Sequence, residues 1–221
     1  MKKIFNLLLF GVFILLFVQC EKENLNFNES YVDLGLSVNW ATCNIGANSP
    51  EDFGYYVAWG ECKPKKYYDW SNYKYCKKAK EDLTKYNDTF EWGIVDNKSE
   101  LEFNDDVVNV NLGDGWRIPT FKELGELVSN CTWEWTMVNG VYGYKVIGRN
   151  GNFIFLPAAG FIDEYGYEAN VGVSCYYWSN TLYRSWYSWY LYANSIDARV
   201  NGNMYRCYGC TIRPVLSKTS K

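Results

Sequence analysis

Residues 176–208 read YYWSNTLYRSWYSWYLYANSIDARVNGNMYRCY, with GCTIRPV directly after them. The stretch holds 11 aromatic residues in 33 positions, set among Ser, Asn and Arg, and Asp197 is its single acid. Tyrosine and tryptophan supply large rigid contact area at low entropic cost, and Ser and Asn add adaptable hydrogen bonds, which is the composition of a binding surface. A packed interior made of Leu, Ile and Val would read differently. Sheet strands also favour aromatics, so the stretch is read as strands with one face packed and the other presented. Alternation puts Trp189 and Leu191 on one face of a strand and Tyr190 and Tyr192 on the other.

Outward from this stretch, the remaining strands are expected at residues 176–179, 188–194 and 211–215, with Asn201-Gly202-Asn203 as a tight turn. Upstream, two hairpins are expected. Asn139-Gly140 joins residues 133–136 to 142–147, and Asn150-Gly151 joins 145–148 to 153–156, because Asn-Gly supplies the positive φ of a two-residue turn. Before them lies the clearest helix, over residues 120–130. Thr120 and Glu123 are spaced as a capping box, and Phe121, Leu124, Leu127 and Val128 follow at helical period. Residues 31–60 read as a strand, a Gly/Asn/Ser/Pro loop and a second short strand. Residues 62–113 have no sustained period and read as a long excursion with one short helix over 77–86; such loops tend to carry function. The order gives an α+β domain, one main helix packed on a twisted antiparallel sheet. Trp116, Leu124, Leu127, Trp178, Trp189 and Leu191 are its expected core.

The first 19 residues read as a secretory leader. Lys2 and Lys3 form the basic end and residues 7–18 the apolar segment, shorter than the roughly 20 residues a membrane span needs. The segment ends at Cys20, placed where a bacterial lipoprotein leader is cut and the cysteine acylated; Gln19 stands where Gly, Ala or Ser is usual. Residues 20–30 are then a lipid-anchored linker. Its start, Glu21-Lys22-Glu23, resembles the charged signal that sends lipoproteins to the outer face of the outer membrane. The domain spans residues 31–217 and residues 218–221 are a tail. Loss of the two leader lysines takes the formal charge from −3 to −5. No basic stripe remains, so nucleic acid is a poor partner, and the membrane is met through the lipid only.

The chain has no histidine. That removes Ser-His-Asp and Cys-His nucleophiles and the common zinc and non-haem iron sites. No catalytic residue, metal ligand or cofactor is assigned. Seven cysteines follow Cys20: Cys43, Cys62, Cys76, Cys131, Cys175, Cys207 and Cys210. An exported chain permits disulfides, the odd number leaves one thiol over, and the pairing is open. Cys207-Tyr-Gly-Cys210 has redox spacing but no βαβ setting, which favours structural thiols.

Taken in order, VDLGLSVNWATCNIGA (32–47), YYVAWGE (55–61), GWRIPTFKELGELVSNCTWEWT (115–136), NGVYGYKVIGRNGNFIFLPAAG (139–160), YYWSNT (176–181), WYLYANS (189–195) and IRPV (212–215) closely resemble the Fibrobacter-type major paralogous domain of bacterial surface lipoproteins. That family is similar in turn to the C-type lectin-like fold, shared with formylglycine-generating enzymes and the variable proteins of diversity-generating retroelements. The resemblance implies a C-type lectin-like domain, a fold that hosts unrelated activities. Its first implication is an adhesin-like or diversified receptor for a protein or glycan. The site residues implied are Tyr183, Arg184, Ser185, Trp186 and Tyr187, then Arg199, Asn201, Asn203, Met204, Tyr205, Arg206 and Tyr208. Trp186, Tyr187, Tyr205 and Tyr208 would come together, with Arg184 and Arg206 free for stacking or for acidic groups. Trp186→Ala and Tyr205→Ala should then weaken binding and leave the melting temperature nearly unchanged. A second implication is a structural subunit of a surface appendage. A third is a copper/cysteine oxidase using Cys207 and Cys210, whose spacing is shorter than that enzyme's pair. The Glu-Pro-Asn and Trp-Asn-Asp calcium motifs of sugar-binding lectins are absent.

Overall fold

Thr120 starts the main helix by reciprocal capping. In the computed structural model, which describes residues 30–113 and 115–218, its hydroxyl accepts from the Glu123 backbone N–H and the Glu123 carboxylate accepts from its own. Two donors orphaned at the helix start are thus satisfied. A shorter helix, α1 (Val107–Leu112), precedes it, with Asp106 accepting from the N–H groups of Val108 and Asn109. The main helix is α2 (Phe121–Asn130), and it buries Leu124 and Leu127.

The strands in chain order are β1 (Tyr31–Val32), β2 (Val38–Ala41), β3 (Trp116–Arg117), β4 (Thr132–Val138), β5 (Val141–Ile147) and β6 (Phe153–Pro157). Then come β7 (Phe161–Ile162), β8 (Glu168–Ala169), β9 (Ser174–Arg184), β10 (Tyr187–Asn194), β11 (Ala198–Tyr205) and β12 (Val215–Ser217). They form four antiparallel sheets, ordered β1-β2-β12-β3, β4-β5-β6, β7-β8 and β11-β10-β9. The class is α+β, with several sheets where one was expected. Asn139 and Gly140 have φ of 48° and 85° and close the β4–β5 hairpin as expected. At the next turn only Gly151 is left-handed, and the loop runs from Gly148 to Asn152.

The β9–β11 sheet is covered on both faces, and this explains its composition. Cys175, Tyr177, Leu191 and Ala193 enter a cluster with Leu34, Trp40, Leu124, Leu127, Val146 and Leu156. Their neighbours Tyr176, Trp178 and Tyr190 enter a second cluster with Trp59, Tyr68, Tyr73, Tyr75 and Tyr86. The excursion supplies most of that second cover with little regular structure, and its buried tyrosines tie it to the segment before it, whose carbonyls need partners there: Tyr68, Tyr73 and Tyr75 donate to the carbonyls of Tyr56, Trp59 and Gly60 at 2.6, 2.7 and 2.8 Å.

Four expectations are corrected. Residues 77–86 form turns, not a helix. Leu83 donates to the Trp92 carbonyl (2.7 Å) and accepts from Ile94 (2.8 Å), and this long-range pairing overrides the local helix propensity. Asn201-Gly202-Asn203 is not a turn but lies inside β11; the chain reverses at Asn194, whose side chain accepts from the N–H groups of Ile196 and Asp197. Gly202 is needed there because a Cβ would stand 2.6 Å from Cγ of the Tyr183 ring. Trp189 is half-buried, not core. It sits at the register shift between Ser188 and Tyr190, and stacks on Phe121 at 5.2 Å. The other expected core residues, Trp116, Leu124, Leu127, Trp178 and Leu191, are buried. The expected 211–215 strand shortens to a bridge at Thr211 and to β12, because Arg213 turns inward. Its guanidinium donates to Asn44 Oδ1 and to the carbonyls of Ala41, Thr42 and Phe155 at 2.8–3.2 Å, tying three segments together.

Candidate binding cleft

β9 and β10 meet at Arg184↔Tyr187, leaving Ser185 and Trp186 at the tip of the hairpin. The tip is not free: it is sewn to the excursion. The Ser185 hydroxyl lies 2.7 Å from Asn87 Oδ1 and 2.5 Å from Asp88 Oδ1, and the side chain is buried. The Trp186 indole N–H donates to the Lys80 carbonyl at 2.9 Å. Its ring lies 4.1 Å from that of Trp92, and the Lys80 ammonium sits 4.4 Å above it. The two segments enclose a cleft of about 390 Å³. One wall is Asp88, Thr89 and Trp92 from the excursion, and the other is Arg184, Trp186 and Tyr187, with Ser185 between them.

Beside the cleft runs a line of rings. Tyr187 stacks on Tyr205 at 4.8 Å, and Tyr205 meets Tyr208 and Trp70 edge-on at 5.4 and 6.0 Å. Tyr208 stacks on Phe161 at 5.8 Å. A hydrogen bond to Tyr205 and partial burial push the Tyr187 phenol up to about 12, so it stays a neutral donor and acceptor at ordinary pH.

The expected site residues divide by exposure. Tyr183, Arg184, Arg199 and Asn203 are exposed, and Trp186, Tyr187, Asn201, Tyr205 and Tyr208 are half-buried. The structure brings Tyr187, Tyr205 and Tyr208 together as expected but turns Trp186 toward Trp92. Arg199 stands apart, paired with Asp197 and lying over Tyr192. Ser185, Met204 and Arg206 are corrected from surface to interior, at 4, 7 and 0% exposure. Arg206 is the largest correction. Its guanidinium donates to the carbonyls of Tyr86 (2.6 Å) and Lys85 (3.1 Å) and packs against Trp59 and Tyr73. It bolts the excursion to the sheet instead of facing a ligand.

Lys80, Asp88, Thr89 and Trp92 were missed by the sequence reading, although the unperiodic excursion that holds them was marked as a place where function concentrates. The one usable signal was Trp92, a tryptophan in a loop without a hydrophobic stripe. Cys207 and Cys210 are fully buried, and burial pushes both thiols up. A buried, protonated thiol is a poor nucleophile, so this geometry does not favour the oxidase reading. Among the described residues, no group of three or more Cys, Asp or Glu is placed to hold a metal ion, and no helix is long and apolar enough to cross a membrane. The leader, Cys20 and the linker up to residue 29 lie outside the described residues, as do residues 219–221. Compared with family models, curated proteins and solved structures, the chain matches none.

Proposed function

We propose that this chain is an outer-membrane lipoprotein, anchored at Cys20 and facing the cell exterior, whose domain binds a protein or glycan ligand without catalysis. The motifs that resemble the Fibrobacter-type major paralogous domain support a C-type lectin-like fold. The observed mixture of a main helix with antiparallel sheets is consistent with that fold. One observation carries the functional reading. Arg184, Trp186 and Tyr187, singled out by composition and resemblance, converge with Asp88, Thr89 and Trp92 on a single open cleft. Cavities of roughly 300–1,000 Å³ with aromatic walls and a few polar groups are the usual form of a ligand site. The test is an array of glycans and peptides probed with the soluble domain and with Trp92→Ala, a change outside the strands. Ligands retained by the wild type and lost, by about tenfold or more in affinity, in the variant support the cleft. Equal retention by both proteins, or retention of nothing, overturns it.

A further inference from the structure

One cation, Arg184, lines the cleft and a second, Lys80, lies over the ring of the lining residue Trp186; neither has an ion-pair partner among the described residues. The Arg184 side chain makes no hydrogen bond and no ion pair among the described residues; its guanidinium only rests 5.2 Å from the Tyr183 ring. The other described arginines are all engaged: Arg117 by Glu123, Arg149 by Asn130, Arg199 by Asp197, and Arg206 and Arg213 by carbonyls. Lys80 likewise has no acid partner and sits against the Trp186 ring. An arginine fork is shaped for a carboxylate, which it takes through two parallel hydrogen bonds. A cleft-lining arginine without an ion-pair partner, near an ammonium held over an indole, is a site prepared for an anion.

The opposite wall narrows the choice. Asp88 is exposed, one oxygen is engaged by Ser185, and the other makes no hydrogen bond among the described residues. Thr89 adds a hydroxyl beside it. An anionic ligand with no donors of its own, such as an acidic side chain or an aromatic acid, would set its charge near the Asp88 carboxylate with nothing between them. A ligand that carries a carboxylate at one end and hydroxyl donors at the other satisfies both walls. The Trp92 and Trp186 rings then fit its body. A sugar ring presents a face of C–H bonds, weakly positive and apolar, that suits the negative face of an indole.

We infer that the cleft takes an acidic sugar, a pyranose bearing a carboxylate beside free hydroxyls. The carboxylate meets Arg184, with Lys80 adding positive potential. The ring lies against the tryptophans, and its hydroxyls donate to Asp88 and exchange hydrogen bonds with Thr89. This rests on the reading that the cleft is a ligand site and adds the chemical class.

The test uses sugar pairs that differ in charge alone or nearly so: methyl glucuronide against methyl glucoside, and methyl galacturonide against methyl galactoside. Binding is followed by ligand-observed NMR at low and high salt. The expected result is a preference of about tenfold or more for the acidic member, a charge-assisted bidentate contact being worth that much. The preference should shrink as salt rises and vanish in Arg184→Gln, while Arg184→Lys restores part of it. Arg184 is exposed, so its substitution should leave the melting temperature in place, and Lys80→Gln gives a second, independent reduction. Equal binding of acidic and neutral members overturns the inference, as does a preference that survives Arg184→Gln. If no sugar of either pair binds while a peptide from the array binds in a Trp92-dependent way, the acidic-sugar class fails and the ligand site stands. If nothing on the array depends on Trp92, both fall.

Discussion

Replacing Trp186 with alanine removes three contacts that join the hairpin tip to the excursion, and the loss can be worked from their geometry. The ring pair with Trp92 at 4.1 Å contributes about 0.5–1.5 kcal/mol. The indole hydrogen bond to the Lys80 carbonyl at 2.9 Å contributes about 1 kcal/mol. The Lys80 ammonium over the ring at 4.4 Å adds about 0.5–1 kcal/mol. Together they amount to about 2–3.5 kcal/mol. At about 2–4 °C per kcal/mol for a domain of this size, Trp186→Ala should melt roughly 4–14 °C below the wild type. That revises the expectation drawn from sequence, in which this side chain was a surface anchor whose loss spared stability. Trp186→Phe keeps the ring contacts and loses the N–H, so it should fall by only about 2–4 °C. Thermal unfolding by circular dichroism gives the shifts. Tryptic cleavage at Lys77, Lys78 and Lys80 reports whether the excursion has come loose, and the alanine variant should be cut faster. If Trp186→Ala melts within about 1 °C of the wild type and is cut no faster, Trp186 does not hold the excursion and the cleft is not built as described.

Arg213 donates to three carbonyls and Asn44 from a fully buried position. Arg213→Lys cannot reproduce that fork and should cost about 3 kcal/mol or more; an unchanged urea midpoint would refute this. Burial pushes the Asp106 carboxyl up from 3.8 to about 6, against three backbone N–H donors that pull it down. A raised folded-state pKa means that protonation favours the folded form. The contribution of this group to stability therefore rises as pH falls through about 6 and levels off near 3.8. Relative to Asp106→Asn, the wild type should gain on the order of 2 kcal/mol between about pH 7 and pH 4; a pH-independent difference would sink the assignment. Cys175, Cys207 and Cys210 are fully buried with thiols pushed up. Ellman's reagent should reach them only after unfolding, and native-state labelling of Cys207 or Cys210 at the rate of half-buried Cys131 would count against their burial.

Features that depend on neighbours along the chain were legible in the sequence. The Thr120–Glu123 capping box lies within one helical turn, and Asn139-Gly140 closes its hairpin through its own dihedral angles, so each element is specified by a few adjacent residues. The aromatic richness of residues 176–208 was legible too, and so was the convergence of Tyr187, Tyr205 and Tyr208, since adjacent strands bring such residues side by side. What each arginine does was not. Arg184 and Arg206 lie in the same stretch with similar neighbours, yet one is exposed and the other has no exposed surface. Their difference is set by backbone carbonyls at residues 85 and 86, which reach Arg206 across some 120 positions of sequence. The same distant segment determines the cleft, because its second wall comes from Asp88, Thr89 and Trp92. The excursion has no period to announce its path, and it is held by its own buried tyrosine hydroxyls donating to carbonyls at residues 56, 59 and 60 and by Arg206 donating to its carbonyls at 85 and 86. Local pattern determined the elements of this protein. Only the tertiary structure, by pairing polar groups far apart in sequence, decided which aromatic and charged side chains remain open to a ligand.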